Sequence, residues 1–400
     1  MTEQQQPAQG RPQHAAFALL TLLFFMWGFV TTLNDILIPH LKDQFELSAT
    51  QAMLVQLCFF GAYFTMALPA GKVIATLGYR RGVVVGLAIA GLGALGFLPA
   101  ASQGSYGLFL LALFVLASGI TVLQVSANPY VTSLGSAETG ASRLNLAQGL
   151  NSLGTTLGPA FGAYLILDSG EVTAVRGPYL GIAATLFVLA AVFLAVRLPE
   201  PQPEAAATEP DEGKLSLRQH PRLWLGTLAI FFYVGAEVSI GSMLVLFFGL
   251  DEVAGLEEQA AGFYVPYYWG AAMVGRFVGA ALQRRLAPTR VLAAATVLAM
   301  VLIGACVALR GPIAVPLLLA VGFANSIMFP TIFALAVTGM GRQTSRASSL
   351  LVMAIVGGAL IPVAMGAIAD SLGYAVAIAA TIPCYAYIGW YALRFHARSS

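Results

Sequence analysis

Charge is what this chain has least of. Only 10% of its 400 residues are Asp, Glu, Lys or Arg, while 58% are hydrophobic, and soluble surfaces need roughly a quarter charged. A water-soluble fold is excluded, and the outer surface must face lipid. Cysteine is scarce too: Cys58, Cys306 and Cys384 stand apart in apolar stretches without CxxC spacing, which leaves them as small core residues. The histidines, at positions 14, 40, 220 and 396, avoid the span centres, so neither a histidine proton relay nor a buried metal cluster is expected. No GxxxxGK[ST] sequence occurs. Nucleotide-driven work by this chain is thereby excluded, no cofactor is implied, and a gradient must supply any energy. A net charge of +2 gives no reason to expect a nucleic-acid partner. The polar, Gln-rich start lacks the short apolar core and cleavage site of a signal peptide, so the first apolar segment is expected to stay as a helix.

What is present is long apolar runs. They predict an all-α membrane protein with twelve spanning helices, near 16–39, 50–77, 82–101, 106–132, 144–167, 178–197, 222–249, 259–283, 290–309, 312–337, 346–369 and 373–394, since a span takes about 20 apolar residues. The longest polar break, 198–221, contains "LPEPQPEAAATEPDEGK" and has linker composition. The expected domains are therefore an N-terminal tail at 1–15, six-helix bundles at 16–197 and 222–394 around that linker, and a C-terminal tail at 395–400. With both termini cytoplasmic, 16 of the 20 Lys and Arg residues fall in inner loops and tails, which is the orientation the positive-inside rule selects. A multi-pass protein of a bacterial inner membrane, in contact with lipid and acting as a monomer, is the expectation.

The halves repeat. "LLFFMWGF" around Gly28 matches "AIFFYVGA" around Gly235, and "GKVIATLGYRR" from Gly71 matches "GAALQRRLAPTR" from Gly279. Pro129 in "SANPYVTSLG" answers Pro330 in "IMFPTIFALA", and Ser142-Arg143 answers Ser345-Arg346. A six-helix unit repeated in parallel resembles the arrangement of the major facilitator superfamily, which rocks two bundles about a midplane site. The loop after the second helix departs from that superfamily's signature, with Ala75 where an aspartate is usual.

A charge at mid-bilayer costs at least about 2.5–3.5 kcal/mol, so each one needs a reason. Of the acids, Asp35 and Glu237 lie well inside predicted spans and Asp370 at a helix end. Asp35 follows Trp27 and Thr31 on one helical face, and a carboxylate there can bind a proton or ligate Na⁺ with hydroxyl and amide oxygens. The blander reading is an acid solvated at the outer surface, because Pro39 and His40 soon end the helix. Glu237 can accept hydrogen bonds from a polyol, or pair with Arg276 as a structural ion pair. Amides are the other anomaly: Gln56, Gln124 with Asn128 one turn on, Gln148 with Asn151 and Thr155, and Asn325. Such stripes either stitch helices together, at about 0.6 kcal/mol per bond, or line a cavity for a polyhydroxylated solute, and their recurrence on several helices favours the cavity. Amides donate and accept, as sugar hydroxyls do. Rings supply flat faces for a pyranose; Trp27 and Trp269 are retained as candidates, and Tyr63, Tyr267 and Tyr268 are assigned to the interfacial belt.

The strings "FFMWGFVTTLNDILIPHLK", "LQVSANPYVTSLG", "SRLNLAQGLNSLGTTLGP", "FFYVGAEVSIGS", "MFPTIFALA" and "VGGALIPVAMG" resemble the fucose:proton symporter family, nearer its glucose/galactose-transporter branch, over about residues 16 to 390. The resemblance implies that the cation-coupling acid of the "LNDIL" motif falls on Asp35. It implies that sugar-facing amides fall on Gln56, Gln148, Asn151 and Asn325, with Glu237 replacing a glutamine. It also exposes a departure: where the fucose permease has an essential glutamate before "ANP", this chain has Gln124, which cannot exchange a proton at ordinary pH. Asp35 with oxygens from Thr31, Asn34, Gln124 or Asn128 could hold Na⁺, the ion this reading leans to, and proton coupling through Asp35 alone stays open. The expected function is cation-coupled symport, by Na⁺ or H⁺, of a hexose such as glucose, galactose, mannose or fucose, bound by Trp27, Gln56, Gln124, Gln148, Asn151, Glu237, Trp269 and Asn325. A proton-driven exporter of drugs or small metabolites is the alternative, opposed by the amide stripes; a non-transporting sugar sensor is opposed by the lack of a signalling domain. No enzyme chemistry is implied.

Overall fold

The computed structural model describes residues 10–46, 49–162, 175–196, 198–199 and 219–396, with side chains at 10–14, 33–44, 49–53, 56, 159–162 and 258–259 left out. Most of the expected tails and linker, and the side chains of Asn34, Asp35 and Gln56, therefore lie outside the described residues.

The described residues form helices and no strands. In chain order these are α1 (Gly10–Gln44), α2 (Ala49–Leu77), α3 (Tyr79–Gln103), α4 (Tyr106–Ser133), α5 (Gly140–Gly162), α6 (Arg176–Ala195), α7 (Pro221–Phe248), α8 (Glu258–Gly262), α9 (Val265–Leu282), α10 (Pro288–Leu309), α11 (Ala314–Asn325), α12 (Met328–Val337), α13 (Thr344–Met353), α14 (Gly357–Leu372), α15 (Tyr374–Ala379) and α16 (Ile382–His396). Taking α11 with α12, α13 with α14 and α15 with α16 as single crossings, and α8 as a short turn before α9, the spans number twelve, six in each bundle. Ten segments are long and apolar enough to cross a membrane. The two that fall short, α5 and α9, carry Arg143, Asn145, Gln148 and Asn151 on one and Arg276 on the other. The two pack against each other across the bundle interface. Large side chains such as Leu111, Val188, Val301 and Val363 are exposed, which suits a surface solvated by acyl chains.

The repeat seen in the sequence is realised as repeated packing. α1 lies on α5 as α7 lies on α14, and α3 lies on α6 as α10 lies on α16. A matched pair of glycines makes the first relation possible. A methyl on Gly154 would overlap the Phe25 carbonyl, and one on Gly357 would overlap that of Phe231, so both crossings need hydrogen in place of a side chain to bring the backbones together.

The halves differ in continuity. In the first, α2, α3 and α4 run through Pro69, Pro99 and Pro129. In the second, four expected single helices are interrupted: at Phe263 and Tyr264 just before Pro266, at Ser326 and Ile327 just before Pro330, at a 3-10 turn over Ala354–Val356 before Gly357, and at Ala380 and Thr381 before Pro383. Proline is tolerated in a helix's first turn, where its missing N–H would have had no partner, so at three of these places the chain starts a new helix at the proline.

Bonds between the bundles cluster at one end, the end that holds Gln219, Arg284 and the α4–α5 connection. Ser142 donates to the Ala280 carbonyl at 2.6 Å; Asn145 donates to Gln283 at 2.8 Å and to the Thr331 hydroxyl at 3.4 Å; and Ser348 donates to the Val125 carbonyl at 3.0 Å.

Candidate functional site

Two polar clusters sit inside the helices, one in each bundle. In the first, α4 presents Gln124 and Asn128 one turn apart and both buried. Gln124 donates from Nε2 to the Tyr63 hydroxyl on α2 at 2.7 Å. Asn128 is fully buried, and neither its Nδ2 nor its Oδ1 has a hydrogen-bond partner in the protein. On α5, Gln148 is buried, whereas Asn151 donates to the Phe24 carbonyl at 2.8 Å and stitches α5 to α1. Trp27 is buried with its ring centroid 4.8 Å from that of Phe24, and the Thr31 hydroxyl donates to the Trp27 carbonyl at 2.7 Å.

In the second bundle Glu237, 8% exposed, carries a carboxylate oxygen without a hydrogen-bond partner. The groups near enough to act on it are Tyr233, one turn back on α7, and Arg276 on α9. Glu237 and Arg276 are not within ion-pair distance, however; among the described residues the salt bridge formed is Arg310 with Glu252, 2.5 Å apart and exposed. Asn325 ends α11 and donates to the Tyr268 hydroxyl at 2.9 Å, which in turn donates to the Glu237 carbonyl at 3.4 Å. Tyr385 of α16 stands beside Asn325. The Tyr233 and Tyr385 hydroxyls and Oδ1 of Asn325 have no partner in hydrogen-bonding geometry.

A buried donor or acceptor left unpaired costs about 1–3 kcal/mol, and six such atoms gather in these clusters: two on Asn128 and one each on Tyr233, Glu237, Asn325 and Tyr385. Groups of both kinds, held on rigid helices, are suited to a small solute rich in hydroxyls, because each hydroxyl both donates and accepts. The clusters meet through Arg276. Its Nη1 donates to the Gln148 carbonyl at 3.1 Å and to the Ser152 hydroxyl, while Nε donates to the Ser326 carbonyl at 3.3 Å, one residue past Asn325.

Of the candidates read from the sequence, Gln124, Asn128, Gln148, Glu237 and Asn325 are buried in these clusters, and Trp27 and Asn151 lie where α1 meets α5. Trp269 is 37% exposed and packs edge-on against Tyr268. Two residues assigned to the interfacial belt are placed otherwise: Tyr63 and Tyr268 are buried and hydrogen-bonded within the clusters, and of that group only Tyr267 is exposed. Tyr233, Tyr385 and Asn145 escaped sequence reading altogether. The available signal was a lone polar atom recurring in otherwise apolar spans.

The Major Facilitator Superfamily profile matches residues 20–362. The chain is 53% identical to the glucose/galactose transporter of Brucella abortus over 94% of its length and 93% of the relative's. It is 34% identical to the L-fucose-proton symporter of Escherichia coli over 98% and 95%. The crystal structure of FucP in the outward conformation superposes with a TM-score of 0.89 at 33% identity, covering 96% of this chain and 99% of that one. With its paired six-helix bundles, its internal repeat and a match over most of its length, this chain belongs to the major facilitator superfamily.

Proposed function

We propose that this protein carries a monosaccharide across the membrane with a coupling cation by alternating access, the two bundles rocking about the buried polar clusters. The observation that carries the reading is that unpaired hydrogen-bonding groups from both bundles, Asn128 on one and Tyr233, Glu237, Asn325 and Tyr385 on the other, flank an interface bridged at Gln148 and Ser326. The relatives' substrates support a hexose, with galactose and glucose the first to test. Gln124, Asn128, Gln148, Glu237 and Asn325 are the proposed sugar contacts in both clusters, and the α2 residue Gln56 is proposed as a further one.

For the coupling ion the reading is the proton, bound at Asp35. The curated relative named for its ion is a proton symporter, which moves the balance away from Na⁺. With Gln124 in place of a second acid, one carboxylate does the coupling. Placing the basic loops in the cytoplasm of a bacterial inner-membrane protein makes the bonded end of the bundles the cytoplasmic end. The structure is then outward-facing, in keeping with its likeness to FucP in the outward conformation. The domain limits proposed are bundles at 16–197 and 222–394 around a cytoplasmic linker, with a monomer as the working unit.

The test is counterflow of radiolabelled galactose in proteoliposomes, with other hexoses competing and with Na⁺ and pH varied separately. Galactose exchange indifferent to Na⁺, together with net galactose uptake stimulated by an inward proton gradient, is the expected result. Stimulation by Na⁺ alone would replace the ion, and failure of every hexose to exchange would overturn the substrate.

A further inference from the structure

Arg276 is a half-buried basic residue at the level of the polar clusters, without an ion-pair partner among the described residues. So costly a group needs an occupation, and its hydrogen bonds supply one. The Ser326 carbonyl would normally accept from the N–H of residue 330, but that residue is Pro330, so the helix leaves this oxygen bare. Nε of Arg276 fills the place at 3.3 Å. From the same guanidinium, Nη1 reaches the Gln148 carbonyl at 3.1 Å and the Ser152 hydroxyl, which itself donates to that carbonyl at 3.2 Å. One rigid planar group therefore spans α9, the α11–α12 break and α5. Its donors are fixed in a fork, so it sets the separation of the backbone at Gln148 in one bundle and beside Asn325 in the other.

We infer that Arg276 is a positioning residue that clamps the two bundles together on their bonded side and sets the register between the two halves of the site. The bond to Ser326 lies within the second bundle and can survive rocking. The bonds to Gln148 and Ser152 cross to the first bundle and must break when that side opens. Release of the clamp and loss of register at Gln148 are then one event. The register half of this inference rests on the transport reading above; the clamp half does not.

A reporter separates the two. In a background with Cys58, Cys306 and Cys384 changed to serine, Ser142→Cys places a thiol at the bundle contact with Ala280. Its reaction with a hydrophilic maleimide is followed in lipid nanodiscs without sugar. Arg276→Gln is expected to raise the labelling rate about ten-fold or more, as loss of charged-donor bonds across the contact predicts. Arg276→Lys, which keeps the charge without the fork, should fall between. Ser152→Ala, which removes one acceptor and leaves the fold undisturbed, should raise the rate about two- to five-fold and decides the matter should Arg276→Gln fail to fold. Labelling at the parent rate in Ser152→Ala and in whichever Arg276 variants fold would overturn the clamp. For the register, Arg276→Lys should raise the half-saturating galactose concentration for counterflow more than it lowers the maximal rate, and an unchanged concentration would overturn it. Should the parent protein exchange no hexose, the transport reading fails, while the sugar-free labelling result still stands or falls by itself.

Discussion

Ser348 on α13 donates its hydroxyl hydrogen to the carbonyl of Val125 on α4, 3.0 Å away and in the other bundle. Val125 is four residues before Pro129, so this carbonyl, like that of Ser326 before Pro330, has no helical N–H to accept from. The two prolines correspond in the repeat, and in each half the oxygen that proline frees is taken by a donor at the bundle interface. The prolines leave α4 unbroken and split the crossing formed by α11 and α12. The common consequence is therefore the bare carbonyl and not a kink.

A double-mutant cycle tests this relation. Ser348→Ala leaves the Val125 carbonyl buried and unpaired, and the expected loss of stability is about 1–3 kcal/mol. In a Pro129→Ala background the helix supplies its own N–H, and the same change should cost less than about 0.5 kcal/mol. Thermal or denaturant unfolding of the four purified proteins gives the coupling; equal effects in both backgrounds would show that the proline does not create the acceptor.

The Tyr63 hydroxyl is the hydrogen-bond partner of Gln124. Tyr63→Phe keeps the ring in its buried place and strips the amide of that partner, so Gln124 should lose its fixed orientation. If Gln124 touches sugar, the half-saturating hexose concentration in counterflow should rise about five-fold or more, with a much smaller change in melting temperature. An unaltered concentration would assign the pair to helix packing.

Glu237 brings a negative charge to a cluster whose other members are neutral hydroxyls and an amide, with Arg276 near enough to act on it. Glu237→Gln preserves shape, removes the charge and adds a donor. The expected outcome is retained exchange with a changed order of competing hexoses, fucose gaining on galactose, because the carboxylate can only accept from a sugar hydroxyl whereas the amide can do both. An unchanged order in the competition assay would mean that Glu237 serves the fold and not recognition.

These relations mark what could be read from the sequence. Span count and repeat were legible because length and apolarity are properties of single segments, and the pairing of Gln124 with Asn128 was legible because one helical turn fixes it. The tyrosines were not. Tyr63 and Tyr268 look like interfacial residues until neighbouring helices cover them, and Tyr233 and Tyr385 pass for apolar bulk until their hydroxyls are seen to lie near Glu237 and Asn325. An ion pair of Glu237 with Arg276 was a natural expectation from two lone charges in apolar spans. The carbonyls of Ser326 and Gln148 draw the guanidinium instead, and which oxygens are bare depends on a proline four residues on and on a helix crossing more than a hundred residues away.

Asp35 lies on α1 downstream of Trp27 and Thr31, and the proposed coupling runs through it. Asp35→Asn keeps the size and most of the hydrogen-bonding capacity of the side chain while removing its ability to take up a proton at ordinary pH. Exchange of labelled for unlabelled sugar needs no net ion movement, so it should persist, whereas uptake against a concentration gradient should disappear. Linkage adds a second, equilibrium signature: where proton and sugar each tighten the other's binding, sugar affinity varies with pH, and the reciprocal effect has the same size. In Asp35→Asn that pH dependence should flatten. Concentrative uptake by the variant, driven by an imposed proton gradient, would mean that another group carries the ion. Loss of exchange together with uptake would mean that Asp35 is needed for the sugar or for the motion, and not for coupling alone.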